Sequence, residues 1–139
     1  MRGNNGTVGN RALLRGLTLA LYLALLLLIA VWEAEYAPPG LVPRPAWLVL
    51  KLAPLLALGY GLWRGSARAH VIAALVVLLY FIEGVVLGFG GVRGLESTAT
   101  VWYALAEIAL ALGFFVCASL YARVTARAAD RSASAETVS

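Results

Sequence analysis

AHVIAALVVLLYFIEGVVLG, Ala69–Gly88, runs for twenty residues with a single charged side chain, Glu83. A helix needs about 20 predominantly apolar residues to cross the hydrocarbon core of a bilayer. Working outward, comparable stretches occupy roughly Ala12–Trp32 and Ala46–Trp63 upstream and Thr98–Tyr121 downstream. Three charged residues lie well inside these stretches: Lys51, Glu83 and Glu107. The pattern predicts an all-α polytopic membrane protein of four transmembrane helices in an antiparallel bundle. Residues 1–11 form an amino-terminal arm, 12–121 the transmembrane domain, and 122–139 a basic, partly disordered tail.

Composition supports lipid as the solvent. Of 139 residues, 62% are hydrophobic and 13% charged, against about 45–50% and about 25% in ordinary soluble domains. A soluble chain this short has too little interior to hide so much apolar surface. Four helices with short connections are expected to take up nearly all of these residues, with no separate soluble domain among them. The net charge of +4 does not indicate nucleic-acid binding, because the arginines flank apolar runs, where they serve topology and lipid headgroups. Arg2, Arg11 and Arg15 followed by Leu17–Val31 resemble the start of a signal peptide. Trp32, Glu33, Glu35 and Tyr36, however, stand where a small-x-small cleavage site belongs, so the segment reads as an uncleaved membrane helix.

Arginine sets the expected sidedness. Arg2, Arg11, Arg15, Arg64, Arg68, Arg123, Arg127 and Arg131 fall on one side, and only Arg44 and Arg93 on the other, with Glu33, Glu35 and Glu96. The basic side of short loops faces the cytoplasm, so both termini are expected there. Trp32, Tyr36, Trp47, Trp102 and Tyr103 then lie near the outer interface, Trp63 and Tyr121 near the inner one. The outer connection, Glu33–Pro45, holds four prolines and reads as a stiff extended loop. The inner connection, Arg64–Arg68, is short enough to force an antiparallel helix hairpin.

Leu58–Gly65 reads LGYGLWRG and Leu87–Gly94 reads LGFGGVRG. An inverted repeat is a transporter signature, yet glycine also commonly ends helices, and the second explanation is the stronger. Neither segment is a phosphate loop, since no Gly-Lys-Ser/Thr follows. Gly84 and Gly88 form a GxxxG pair, and Ala109, Gly113 and Cys117 a similar small-residue line. Such residues let membrane helices approach closely, within the bundle or against another protein.

The three intramembrane charges are the candidate polar cluster. Lys51 and Glu83 are expected roughly 7–8 Å below the outer boundary and Glu107 about 13 Å deep, at about 1.5 Å per residue. A charge at the bilayer centre costs about 2.5–3.5 kcal/mol on insertion scales, so such residues face the bundle and find partners. One account is structural, with Lys51 pairing Glu83 or Glu107 and fixing helix order, or extending its stem toward the headgroups. The other is an ion or proton relay, or a polar pocket open to the outside. Pro54, which frees the carbonyl of Leu50 and bends the helix beside Lys51, adds to the second. His70 reads as a solvated interfacial flank and Cys117 as a packing residue. No catalytic triad, metal-ligand spacing or cofactor motif is present in the sequence, and an enzyme is the least favoured class.

KLAPLLALGYGLWRG from Lys51, a short basic turn, and ALVVLLYFIEGVV ending at Val86 resemble a family of small uncharacterised bacterial inner-membrane proteins, classed as a domain of unknown function. The carrying features are the proline within the second helix, the arginine-glycine turn, and Tyr80-Phe81 followed by Glu83-Gly84. The resemblance implies a four-helix protein of this length in the bacterial inner membrane and supplies no activity. The leading expectation is an accessory or assembly subunit packing against another membrane protein or a second copy of itself. The alternative is a small transporter or ion- or proton-conducting protein using Lys51, Glu83 and Glu107.

Overall fold

The structure, a computed structural model, describes residues 4–36, 41 and 43–139, except for the side chains of residues 4, 5, 7 and 36. Helix α1 spans Asn4–Val31 and continues as a π-helical turn over Trp32–Tyr36; α2 spans Arg44–Trp63, α3 Ala67–Val92 and α4 Thr98–Val138. All four are long and apolar enough to cross a membrane. The expected outer loop is only partly within the described residues: Glu33–Tyr36 are π-helical, and residues 37–40 and 42, with Pro38, Pro39 and Gly40, lie outside them.

Local chemistry sets the helix ends. Pro43 precedes α2, and Pro45 sits in its first turn, where a missing N–H costs nothing. Ser66 and Ser97 cap α3 and α4 by accepting from the N–H groups of Ala69 and Thr100. The two echoing segments end alike. Ser66 N donates to Gly61 O at 3.1 Å and Gly65 N to Leu62 O at 3.1 Å; Leu95 N donates to Gly90 O at 2.9 Å and Gly94 N to Gly91 O at 2.9 Å. Gly65 and Gly94 have φ of 73° and 71°, the left-handed turn of a Schellman stop. In each, the arginine lies over the aromatic ring four residues earlier, Arg64 on Tyr60 and Arg93 on Phe89. The echo is therefore helix-stop chemistry used twice.

The last helix departs from expectation. Residues 122–138 are helical, including the part of the tail that was expected to be disordered. The stretch is alanine-rich and contains no proline, and Ser132, Ser134 and Thr137 bond back to carbonyls four residues earlier. At 41 residues, α4 is about 60 Å long, roughly twice the about 30 Å hydrocarbon core, so its exposed final turns extend beyond a membrane. The amino-terminal arm is likewise helical from Asn4.

Helices α3 and α4 pack along most of their length, α1 lies against α4, and α2 sits at the edge against α3 and α1. The interior stripe repeats every three or four residues: Tyr22, Leu25 and Ile29 on α1, Ala73, Val77 and Tyr80 on α3, and Ala111, Phe114 and Ala118 on α4. The outward faces carry leucine and valine, such as Leu23, Leu27 and Leu79, an arrangement suited to lipid. Edge helix α2 is tied on both sides of Pro54. Tyr80 Oη donates to the carbonyl of Lys51, and Tyr22 Oη to that of Leu55 at 2.9 Å.

Candidate functional site

Lys51, Glu83 and Glu107 all lie toward the end of the bundle away from the termini. Two of them meet directly. The ammonium of Lys51 is bonded to Glu83 Oε1 and, at 2.5 Å, to Glu33 Oε1. Lys51 is therefore bridged by two carboxylates from different helices and does not reach toward the headgroups. Its side chain and that of Glu33 are only 8% and 6% exposed, whereas that of Glu83 is 35% exposed.

Glu33 is the residue that sequence reasoning missed. It sits next to a proline-rich connection and reads as a loop charge. The π-helical turn Trp32–Tyr36 keeps it on the bundle instead. Such single turns concentrate at functional sites. A signal was present: Thr18, Tyr22, Leu25, Ile29 and Glu33 are all buried and follow one another at spacings of three or four. The same turn stacks Trp32 on Tyr103, with ring centroids 4.4 Å apart and planes 9° from parallel.

Glu107 stands behind this pair. It is completely buried. Its Oε1 accepts from Tyr103 Oη at 3.1 Å, while Oε2 has no partner among the described residues. Glycine makes room for it: a methyl group at Gly84 would lie 3.4 Å from Glu107 Oε2, 3.2 Å from the carbonyl oxygen of Ala104 and 2.9 Å from Ile108 Cγ1. A buried carboxyl group with an unmatched oxygen is costly. It is also a place where a proton or cation gains most by binding.

Lys51, Glu83 and Tyr80 also line an open groove of about 450 Å3 between α2 and α3, whose remaining walls are Trp47, Leu50, Pro54 and Leu79. The site thus has a half-exposed carboxylate at its mouth, a doubly paired ammonium behind it, and a buried carboxyl group further in. Among the described residues, no three His, Cys, Asp or Glu side chains are arranged to hold a metal ion.

The other singled-out residues lie elsewhere. A methyl group at Gly88 would make ordinary contact with Ala104 Cβ at 3.8 Å, and one at Gly113 would touch Leu21 Cδ1 at 3.4 Å. Both glycines therefore serve packing inside the bundle, as does Gly84, while Ala109 is exposed. His70 corrects the expectation of a solvated flank. It is fully buried near the other end, its Nδ1 donates to the Ser66 carbonyl at 2.8 Å, and its ring packs on Tyr121. Cys117 is a half-buried free thiol.

A family model described as "Predicted membrane protein (DUF2069)" matches residues 17–126, a span running from within α1 to within α4. No curated protein and no solved structure matches the chain.

Proposed function

The chain belongs to the DUF2069 family of predicted membrane proteins, and from that premise we propose that it is a small proton- or cation-coupled membrane protein working through Glu33, Lys51, Glu83 and Glu107. The observation that carries this reading is the complete burial of Glu107 with one carboxyl oxygen unpartnered among the described residues. A purely structural tie would match that oxygen, as it matches Lys51. The acidic residues also differ in exposure, from Glu83 at the groove to Glu33 and Glu107 inside. Glu83 lines the groove and can take up a proton there, Lys51 keeps Glu33 when it does, and the buried carboxylate of Glu107 can hold a proton in the interior.

An accessory or assembly role is the second reading. Of its grounds, the small-residue helix faces are weakened, because Gly84, Gly88 and Gly113 have neighbours within the bundle. The exposed Ala109, the half-buried Cys117 and the small soluble mass of the chain still support it.

We assign the protein to the bacterial inner membrane with both termini cytoplasmic, from the arginine distribution and the family resemblance. The cluster then opens toward the outer leaflet.

The test is proton flux into liposomes holding the purified chain, driven by a potassium diffusion potential and read with an internal pH dye. Wild-type protein exceeds protein-free vesicles, and Glu107→Gln falls to their level. Wild-type flux no greater than that of protein-free vesicles overturns the proposal. So does full flux from Glu107→Gln.

A further inference from the structure

We infer that the groove between α2 and α3 binds a lipophilic organic cation, its charge on Glu83 and its apolar body against Trp47, Leu50, Pro54 and Leu79. This rests on the reading of the cluster given above and adds the class of molecule that the site takes.

Size comes first. A volume of about 450 Å3 falls within the range of roughly 300–1,000 Å3 typical of small-molecule sites, far more than a bare ion needs. Charge comes second. Two carboxylates, Glu33 and Glu83, share the one ammonium of Lys51, which leaves the cluster with an excess of negative charge even when the buried carboxyl group of Glu107 is protonated. Lys51 keeps Glu33 as a partner at 2.5 Å when Glu83 is drawn away. Of the two carboxylates bonded to Lys51, only that of Glu83 is substantially exposed, and it lines the groove. The groove is therefore complementary to a cation and repels an anion.

The walls decide what kind of cation. Trp47 is 45% exposed and Leu79 65% exposed, and both line the groove. An indole face attracts an organic cation through its quadrupole, and leucine and proline hold apolar substituents. Leu50 and Leu79 belong to the outward faces that suit lipid, so the groove opens sideways toward the bilayer. A hydrated metal ion would carry its water into hydrocarbon on that route. A cation that buries its charge under aromatic or alkyl groups would not. Tyr80 fixes the back wall, because its hydroxyl is tied to the carbonyl of Lys51.

The experiment is equilibrium dialysis of radiolabelled tetraphenylphosphonium against the full chain in detergent. Saturable binding is expected, weakened about tenfold or more by Glu83→Gln, which removes the charge facing the ligand. Leu79→Trp, which fills the groove and leaves every charge in place, also weakens it. Glu83→Asp retains binding, and Glu96→Gln, on the exposed turn before α4, leaves it unchanged. If Glu83→Gln does not fold, Leu79→Trp decides. The inference is overturned if wild-type protein shows no saturable binding, if tetraphenylborate binds as well as the cation, or if Leu79→Trp binds like wild type. The two proposals fail separately. Glu107-dependent proton flux without tetraphenylphosphonium binding removes the groove and keeps the coupled cluster. Saturable binding without flux keeps the groove and removes the coupling.

Discussion

The ammonium of Lys51 and the carboxylate of Glu33 stand 2.5 Å apart although eighteen residues separate them in the chain. The contact joins the end of α1 to the edge helix α2, and through Glu83 it reaches α3. Breaking a buried charge network by removing one partner costs roughly 3–5 kcal/mol, because the partners left behind stay buried and unpaired. Lys51→Met strands the buried carboxylate of Glu33 and is expected in that range. Glu33→Gln costs less, since Lys51 keeps Glu83. The double variant costs less than the sum of the two singles. Reversible unfolding in mixed micelles measures all three, and strict additivity would show that Lys51 and Glu33 do not interact.

Gly84 and Gly88 form one sequence motif with two different environments. A methyl group at Gly84 meets Ile108 Cγ1 at 2.9 Å and the Ala104 carbonyl at 3.2 Å, while one at Gly88 finds ordinary contact at 3.8 Å. Gly84→Ala forces α3 away from α4 and is expected to destabilise by about 1–3 kcal/mol, the range for overpacking a tight interior. Gly88→Ala stays within about 1 kcal/mol of wild type, aided by the lower backbone freedom of alanine. Equal costs at both positions would instead point to a face shared with a second copy of the chain.

How far the sequence discloses this arrangement depends on the range of the interaction. The four spans were legible because hydropathy is a local property and each run is long. Lys51, Glu83 and Glu107 were legible as a group because charge inside an apolar run is conspicuous. Their pairing was legible only in part: Lys51–Glu83 was anticipated, whereas Glu107 bonds Tyr103 and not Lys51. Glu33 escaped notice because a run of prolines hides the helical character of the residues before it. Only the spacing of Tyr22, Leu25 and Ile29, extended by one turn, places it inside. His70 was misread for a similar reason. Its neighbour Arg68 suggests an interface, while its burial depends on Tyr121, 51 positions further along the chain. The helical course of the end of the tail was obscured by serine and threonine, which here bond back along the helix and do not break it.

Gly65 and Gly94 separate conformational strain from steric crowding. Both have φ near 70°, where a residue with a side chain costs about 1–2 kcal/mol. Nothing lies within 4 Å of a methyl group built on Gly94, but one on Gly65 would be 2.9 Å from Tyr121 Oη. That hydroxyl donates to the Gly65 carbonyl at 2.8 Å. Gly94→Ala is expected to carry the conformational cost alone and Gly65→Ala a larger one. In a Tyr121→Phe background, which removes the hydroxyl, the cost of Gly65→Ala drops to that of Gly94→Ala. Thermal unfolding of the four variants checks this, and an unchanged Gly65→Ala cost in that background would place the crowding elsewhere.

Sidedness can be read directly, and the groove's access follows from it. Leu95 is exposed on the turn between α3 and α4, and Ser66 is exposed on the turn between α2 and α3, at opposite ends of α3. In a Cys117→Ala background, Leu95→Cys is expected to react with a membrane-impermeant maleimide in intact cells. Ser66→Cys is expected to react only after the membrane is opened. The excess of arginine around Ser66 and along the end of α4 predicts this order, since basic residues in short segments favour the cytoplasmic side. The length of α4 adds a constraint: Arg123, Arg127 and Arg131 lie on turns that project past the hydrocarbon and belong with Ser66. The reverse labelling pattern would turn the bundle over. Glu83 and the groove would then open toward the cytoplasmic leaflet, and proton flux through the cluster would have to begin from that face.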